Sequence, residues 1–385
     1  MRPLNALYAG LGETIFETMS GLALRHGAVN LGQGFPDDRG PEDVLHAASE
    51  ALASGSNQYP SMLGTPALRE AIAEHEQRFY GLAFDPSREI VVTSGATEAL
   101  AAAILGVVEP GDEVVLFEPA YDAYAPLVRR AGGVPRFVTL APPSWTITEE
   151  DLARAFGPRT KAVVFNNPHN PAGKVYRREE LETLARFVIE HDAYAICDEV
   201  YEHLVFDGLA HVPLVSLPGM RERTVKIGSA GKTFSLTGWK VGMIVGPRSL
   251  IGPIARAHQF LTFTTPPNLQ AGVAFGLRKD DAFFVALAKE QARRRHRLVA
   301  GFRRIGWTTL PAEGAYFVNV DLRSTGFEGT DVAFCRHLVE EVGVAAIPLS
   351  AFFEAEPVTH LVRFCFAKQD DVIDRALERL GARYP

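Results

Sequence analysis

The spacing of apolar residues alternates between a helical and an extended period along most of the chain. It predicts helices over residues 66–80, 98–107 and 178–190, and strands over 90–93, 113–117, 161–165, 193–197, 224–227 and 241–245. Helices that alternate with short buried strands are typical of a parallel sheet with helical crossovers. The pattern therefore predicts an α/β fold, whose ligands collect at the carboxyl ends of the strands.

The pattern changes after about residue 280. A long charged helix over 281–305 is followed by strand-like segments over 315–320 and 360–365 and by a final helix. With 385 residues, the chain also exceeds the size at which one hydrophobic core usually stops growing. We therefore expect an N-terminal segment over 1–32, a large domain over 33–280 and a smaller α/β domain over 281–385. The N-terminal segment should pack with the small domain or with a partner subunit.

Composition and charge narrow the classes of function. Hydrophobic residues make up 47% of the chain and charged residues 22%, as in ordinary globular proteins. The net charge of −7 disfavours nucleic acid as a partner, because a polyanion requires a basic surface. A run of arginines at 293–295 is expected to be the solvated face of a helix.

The cysteines and the apolar runs indicate the compartment. Cys197, Cys335 and Cys365 are odd in number and far apart, which predicts reduced thiols and no metal site. The N-terminus lacks the apolar core of a signal peptide, and no run of about 18 apolar residues could span a bilayer. We expect no membrane association and a cytoplasmic location.

Three segments follow predicted strands and carry candidate chemistry. SGATEA at 94–99 leads from a strand into a helix, and its small residues allow a phosphate to approach the first backbone N–H groups. Asn170, in a loop fixed by prolines, offers an amide to a phenolate or carboxylate oxygen. Asp198 ends an apolar run and should have a cationic or N–H partner, since an unpaired buried carboxylate is costly. Each feature alone is also typical of an ordinary turn or cap.

The segment IGSAGKTFSLTGWKVG at 227–242 is the most specific. Lys232 lies in a small-residue turn after a strand. Burial there would lower the pKa of its amine, and the small neighbours would leave room for an aldehyde. Ser229 and Lys240 flank it at spacings that suit a phosphate. A dinucleotide-binding GxGxxG motif is absent from the chain.

These segments, taken in order, resemble a known family. SGATEA, FEPAYDAY, NNPHNPAGK, CDEVYEHLVF, SAGKTFSLTGWKVG and LVRFCFAK are similar to motifs of the class I, fold type I, pyridoxal-phosphate-dependent aminotransferases across nearly the whole chain. LGQGFPD at 31–37 and NQYPSMLGTPALREAI at 57–72 resemble the branch of kynurenine/glutamine and methionine aminotransferases. The resemblance implies a mainly parallel seven-stranded sheet in the large domain and pyridoxal 5′-phosphate (PLP) as cofactor.

The resemblance also implies a role for each matching residue. Lys232 would carry the cofactor as a Schiff base and move the proton, while Asp198 would keep the pyridine nitrogen protonated. Tyr121 would stack on the ring, and Asn170 and Tyr201 would hydrogen-bond its phenolic oxygen. The implied phosphate ligands are Gly95, Ala96, Thr97, Ser229 and Lys240, with Tyr59 reaching the phosphate of the neighbouring subunit in a homodimer. Arg363 and the backbone of Gly34 would hold the substrate α-carboxylate.

The implied reaction is transfer of an amino group from an α-amino acid to a 2-oxo acid. No second arginine is an obvious partner for an acidic side chain, so we expect neutral, sulfur-containing or aromatic donors. Thr262, Phe263 and Thr264 replace the aromatic–histidine pair that the branch often has near the substrate. A carbon–sulfur β-lyase of the same fold is the alternative. A ligand-sensing regulator is remote, because the chain lacks a basic DNA-binding helix.

Overall fold

A computed structural model describes residues 2–384. The N-terminal part contains α1 (Ala6–Ala9), α2 (Ile15–His26), β1 (Val29–Asn30), α3 (Glu42–Ser54) and α4 (Pro66–Tyr80). Side-chain caps begin α2 and α4, as one does α1: Thr14 accepts the N–H of Glu17 in α2, and Thr65 accepts the N–H of Leu68 in α4. Both helices end at a glycine with positive φ, Gly27 and Gly81.

The central part of the chain forms a seven-stranded sheet and its helices. In chain order its elements are β2 (Ile90–Thr93), α5 (Gly95–Val107), β3 (Glu113–Glu118), α6 (Tyr124–Arg130), β4 (Val134–Thr139), α7 (Glu149–Ala155), β5 (Thr160–Asn166), α8 (Arg178–Glu190), β6 (Tyr194–Asp198), β7 (Thr224–Ser229), α9 (Ala230–Thr233), β8 (Gly242–Val245), α10 (Arg248–Leu261) and α11 (Pro267–Leu277). The strand order is β2-β8-β7-β6-β5-β3-β4, and β8 runs in the opposite direction to the other six strands. The predicted α/β fold with a mainly parallel seven-stranded sheet is therefore confirmed.

The C-terminal part is built around a second sheet. It comprises α12 (Asp281–Arg304), β9 (Thr308–Thr309), β10 (Phe317–Asp321), α13 (Asp331–His337), β11 (Val344–Ala345), β12 (Ile347–Pro348), β13 (Leu361–Cys365) and α14 (Asp370–Arg383). Four strands pair antiparallel in the order β12-β13-β10-β9, and β11 pairs in parallel with β1 of the N-terminal segment. The division of the chain at residues 32 and 280 stays a prediction.

The arginine run on α12 departs from the sequence prediction. Only Arg293 is exposed, whereas Arg294 and Arg295 are buried. Arg294 bonds Asp38 at 2.7 and 3.0 Å, and Arg295 bonds Asp207 at 2.7 Å from both of its terminal nitrogens. The prediction of a solvated face was wrong because carboxylates distant in sequence neutralise the two buried guanidinium groups.

The sheet brings the polar ends of its strands together. The last residues of β5, β6 and β7 are Asn166, Asp198 and Ser229, and Asn166 lies directly beside Asp198 in the register. Gly242, at the start of β8, pairs with both Ser229 and Thr93, the last residue of β2. One edge of the sheet therefore carries every polar strand end predicted to bear chemistry. No helix among residues 2–384 is long and apolar enough to cross a membrane.

Candidate active site

A cavity of about 1200 Å³ opens at this edge of the sheet. All the predicted site residues except Tyr59 line it: Gly34, Gly95, Ala96, Thr97, Tyr121, Asn170, Asp198, Tyr201, Ser229, Lys232, Lys240 and Arg363. They come from the loop after β1, from the strand ends of the large sheet with the turns that follow them, and from β13. A pocket lined by apolar walls and a few converging polar groups is the usual form of a small-molecule site.

Lys232 lies on the one-turn helix α9, directly after β7. Its Nζ donates to the carbonyl oxygen of Gly34 at 3.3 Å and forms no salt bridge within the described chain. Burial lowers the pKa of this amine to about 8, although the nearby Asp198 carboxylate opposes the shift. A substantial fraction of the amine is therefore neutral near physiological pH and able to act as a nucleophile or base.

Asp198 is buried at the base of the cavity. The hydroxyl of Tyr124 donates to its Oδ2 at 2.7 Å, and the backbone N–H of Val200 points at Oδ1 from 3.4 Å. Burial raises the pKa of Asp198, while the hydrogen bond from Tyr124 acts in the opposite direction. The sequence predicted a cationic or N–H partner but missed the Tyr124 hydroxyl. Tyr124 ends the FEPAYDAY motif, but that motif does not indicate a contact with a carboxylate 74 positions away.

Arg363 is fully buried on β13, with 1% of its surface exposed. Its Nη1 donates to Asn170 Oδ1 at 3.0 Å and its Nη2 to the Gly32 carbonyl at 2.9 Å, whereas Nε has no hydrogen-bond partner. No carboxylate among residues 2–384 forms a salt bridge with it. Burial lowers the pKa of the guanidinium to about 10, so it remains charged at neutral pH. A buried cation without a counter-ion is suited to an anionic ligand.

Three aromatic rings surround this guanidinium. Its central carbon lies 4.1 Å from the ring centroid of Phe317, 4.9 Å from that of Phe352 and 5.4 Å from that of Phe16. Ring faces attract cations without competing for their N–H groups. Phe16 belongs to α2, which also contributes Glu17 and Leu24 to the cavity wall. Sequence reasoning missed this wall, because nothing local to α2 marks it as part of the site.

The turn at the start of α5 closely approaches Lys240. Gly95 has φ of +78°, and a Cβ added to it would lie 3.3 Å from Lys240 Cε and 3.5 Å from Nζ. A Cβ added to Gly242 would lie 2.5 Å from the backbone of Gly95, so that position also requires glycine. The small residues leave a cationic cradle of free helix N–H groups and an ammonium, which fits a phosphate group.

Tyr201 and Tyr316 lie beside Lys232, whose Nζ is 5.8 and 5.7 Å from their ring centroids. Their rings pack edge-to-face with centroids 5.1 Å apart, and the hydroxyl of Tyr316 donates to Gly34 O at 2.8 Å. Burial and the nearby Asp198 raise the pKa of Tyr201, which keeps its hydroxyl protonated. Sequence reasoning identified Tyr201 but not Tyr316, whose only local signal is its position next to an apolar strand.

Tyr59 does not line the cavity. It lies in the loop before α4 with 84% of its surface exposed, and it packs edge-to-face on Phe263 with ring centroids 5.6 Å apart. Its predicted role requires a second subunit, and within this chain it contacts none of the other predicted site residues by a hydrogen bond.

Comparison with known proteins identifies the family. The family of class I and II aminotransferases matches residues 27–380. The chain is 46% identical over 379 residues to a probable N-succinyldiaminopimelate aminotransferase, DapC, of Mycobacterium tuberculosis, covering 96% of this chain and 95% of that protein. It is 42% identical to methionine aminotransferase of Escherichia coli, covering 96% of both. It is 39% identical to kynurenine–oxoglutarate transaminase 3 of Rattus norvegicus, covering 96% of this chain and 88% of that one.

A solved structure shares the whole fold. The N-succinyldiaminopimelate aminotransferase of M. tuberculosis superimposes with a TM-score of 0.96 at 46% identity, covering 99% of this chain and 100% of that one. The chain belongs to the class I and II aminotransferase family and is an aminotransferase whose cofactor is PLP. The cavity fits this cofactor, because it combines a neutralisable lysine, a buried carboxylate and a phosphate cradle.

Proposed function

We propose that this aminotransferase takes its amino group from a neutral, sulfur-containing or aromatic α-amino acid and passes it to a 2-oxo acid. Methionine, glutamine, kynurenine and phenylalanine represent the donors. The observation that carries the proposal is Arg363, a buried cation that has no carboxylate partner within the described chain and faces the cavity. Its guanidinium binds the α-carboxylate that every donor and acceptor shares. Gly34 approaches the same carboxylate through its backbone.

The cofactor is held by residues around the cavity. Gly95, Ala96, Thr97, Ser229 and Lys240 would bind its phosphate. Tyr121 would stack on its ring, and Asn170 and Tyr201 would hydrogen-bond its phenolic oxygen. Asp198, which accepts a hydrogen bond from Tyr124, would hold the ring nitrogen of the cofactor and keep it protonated. When bound, PLP supplies an aldehyde that takes up the amino group and a ring that withdraws electrons from the substrate Cα.

Lys232 moves the proton. With PLP bound, its amine, whose pKa is lowered to about 8, would take the proton from the substrate Cα and deliver it to the cofactor carbon that carries the amino group. The carbonyl of Gly34 accepts a hydrogen bond from the released amine and so keeps it at the edge of the cavity. Tyr316 fixes that carbonyl through its own hydrogen bond. The 2-oxo acid then reverses these steps in a second half-reaction.

The charges of the cavity wall support a neutral donor side chain. Arg363, Lys232 and Lys240 are the cations among the described lining residues, and each already has a role in the proposal. Glu17 and Asp122 also line the cavity and would repel a side-chain carboxylate. Aspartate and glutamate are therefore poor donors in this proposal.

A second candidate donor is N-succinyldiaminopimelate. The 46% identity to proteins named for that substrate favours it. Its additional carboxylates lack an assigned cationic partner in the cavity of this subunit, which is why it stands second. A carbon–sulfur β-lyase activity uses the same lysine and is separated from transamination by its products.

The proposal includes a homodimer with shared active sites, in which Tyr59 reaches the phosphate bound by the partner. Its exposure and its packing on Phe263 support this role. A cytoplasmic location is part of the same proposal. It is supported by the three buried cysteines, Cys197, Cys335 and Cys365, which are all free thiols.

The first experiment is an absorbance spectrum of the PLP-loaded protein before and after each amino acid is added without any oxo acid. Methionine, glutamine, kynurenine and phenylalanine should convert the lysine-bound cofactor into pyridoxamine phosphate, and released ammonia and pyruvate should be absent. Aspartate and N-succinyldiaminopimelate belong in the same panel. If only N-succinyldiaminopimelate converts the cofactor to pyridoxamine phosphate, that compound is the donor and the neutral-donor proposal is wrong. Ammonia and pyruvate from cystathionine would indicate the lyase.

A further inference from the structure

His258 on α10 is completely buried and hydrogen-bonded at both ring nitrogens. Nδ1 lies 3.0 Å from both carboxylate oxygens of Glu98, and Nε2 lies 3.0 Å from the carbonyl oxygen of Met62. A carbonyl oxygen only accepts hydrogen bonds, and so does an ionised carboxylate. Nε2 therefore donates to Met62, while Nδ1 connects the ring to the carboxylate of Glu98.

Glu98 connects this histidine to the phosphate cradle. Its Oε2 accepts the backbone N–H of Ser94 at 3.0 Å, and Ser94 directly precedes Gly95, Ala96 and Thr97. The carboxylate therefore fixes the residue at which β2 turns into α5. Because Gly95 has a positive φ, the turn has conformational freedom that this hydrogen bond restricts.

The other nitrogen of His258 fixes the loop that carries Tyr59. Met62 lies three residues after Tyr59, and Thr264 supports the same loop by donating to the carbonyl of Ser61 at 3.3 Å. The carbonyl of His258 also accepts the N–H groups of Thr262 at 3.1 Å and Phe263 at 3.2 Å. Both members of the exposed Tyr59–Phe263 pair are thus held by the same buried residue.

We propose that His258 is a positioning residue for the cofactor phosphate, acting through Glu98 on the cradle of its own subunit and through Met62 on the Tyr59 loop. The inference rests on the proposed function, because that function assigns the cradle and Tyr59 to the phosphate. His258 touches neither cofactor nor substrate. It aligns two groups of phosphate ligands, so its loss weakens phosphate binding and leaves the chemistry of Lys232 in place.

The test compares two probes that differ only in the phosphate. PLP and pyridoxal both offer the aldehyde and the ring, and titration of the apoprotein by absorbance gives a dissociation constant for each. In His258→Gln and in Glu98→Gln, the preference for PLP over pyridoxal should fall about tenfold, with pyridoxal affinity nearly unchanged. The double variant should lose no more than His258→Gln alone, because Glu98→Gln breaks a contact that His258→Gln already breaks.

Two controls make the result specific. His75→Gln alters another buried histidine, whose hydrogen-bond partner is His203, and should leave the preference for PLP unchanged. Lys240→Ala removes a proposed phosphate ligand itself and should lower the preference. If His258→Gln does not fold, Glu98→Gln supplies the same measurement, since it keeps a side chain of equal size.

The outcomes separate this inference from the proposed function. An unchanged preference in folded His258→Gln or Glu98→Gln, beside a reduced one in Lys240→Ala, overturns the role of His258 alone. Equal losses for PLP and pyridoxal overturn it as well, because they indicate a general structural defect. A wild-type chain that binds pyridoxal as tightly as PLP overturns the assignment of the cradle itself.

Discussion

At the scale of single residues, burial gives Lys232 and Arg363 their properties. Both line the same cavity, but Lys232 lies near the carboxylate of Asp198, whereas Arg363 lies among aromatic rings. Lys232 has a pKa lowered to about 8, so its amine exchanges protons near neutral pH. Arg363 keeps its charge, with a pKa of about 10, and lacks a carboxylate partner in the described chain. One group is therefore suited to proton transfer and the other to holding a fixed anion.

Replacing the lysine tests the first role. Lys232→Ala should keep the fold and lower kcat by at least about 10³-fold, because a positioned base contributes about 10²–10⁴-fold to a proton transfer. The measurement is steady-state transamination of methionine, with circular dichroism to check folding. Lys174→Ala is the matched control, since Lys174 is also largely buried but pairs with Glu180 outside the cavity. More than about one per cent residual kcat in Lys232→Ala would exclude it as the base.

Replacing the arginine by lysine tests the second role, because the charge remains while the two-pronged geometry is lost. Arg363→Lys should lower kcat/KM for methionine by about 10²-fold, mainly through a higher KM. The dissociation constant of PLP should stay within about twofold of wild type. Arg294→Lys offers a comparison, since that buried arginine pairs with Asp38 and Glu290 and does not line the cavity. An unchanged KM in Arg363→Lys would show that the carboxylate binds elsewhere.

At the scale of elements, the sequence predicted what depends on local pattern. The helices Pro66–Tyr80 and Arg178–Glu190 and the strand Ile90–Thr93 match their predicted bounds, and the motifs after β5, β6 and β7 lie at strand ends. Contacts between distant segments left no local signal. The hydroxyl of Tyr124 on Asp198 and the ring of Phe16 on Arg363 are set by tertiary packing, which no periodicity encodes.

A buried polar cluster between α4 and β7 was also invisible to pattern. His75 Nε2 lies 2.8 Å from His203 Nε2, and Lys226 Nζ bonds Glu202 at 2.7 Å and also bonds Glu76. Burial lowers the pKa of His75 to about 3 and that of His203 to about 4, while it raises that of Glu76 to about 7. The two histidines are therefore neutral in the folded protein at pH values where the unfolded chain protonates them.

This cluster predicts loss of stability in acid. The folded pKa of each histidine lies below the unfolded value of about 6.5, so stability is complete above that pH and falls as the pH approaches 4. Protonation of Glu76 below pH 7 stabilises the folded state and so opposes this loss. It is one group, however, and the two histidines together outweigh it. When the pH falls from 7.5 to 5, the free energy of unfolding measured in urea should decrease by about 2 kcal/mol less in His203→Gln than in wild type. Equal losses in both proteins would show that His203 does not contribute.

At the scale of the whole molecule, the proposed dimer completes a cavity that one chain alone forms only in part. Tyr59 and Phe263 form an exposed aromatic pair that contributes nothing to the cavity of its own subunit. Exposed aromatic rings held by buried polar contacts are typical of an interaction surface. The proposed arrangement gives each active site Lys232 from one chain and Tyr59 from the other.

Mixed dimers of two defective chains test this arrangement. When Lys232→Ala pairs with Tyr59→Ala, one site carries both lesions, while the other combines the wild-type Lys232 of the Tyr59 variant with the wild-type Tyr59 of its partner. That second site should bind PLP with wild-type affinity, measured by absorbance titration of purified heterodimers bearing different affinity tags. The Tyr59→Ala homodimer should bind about tenfold more weakly, since both of its sites lack one phosphate contact. If Tyr59 acted within its own subunit, the lysine-bearing site of the heterodimer would keep that weaker affinity. The heterodimer therefore distinguishes a shared site from two independent ones.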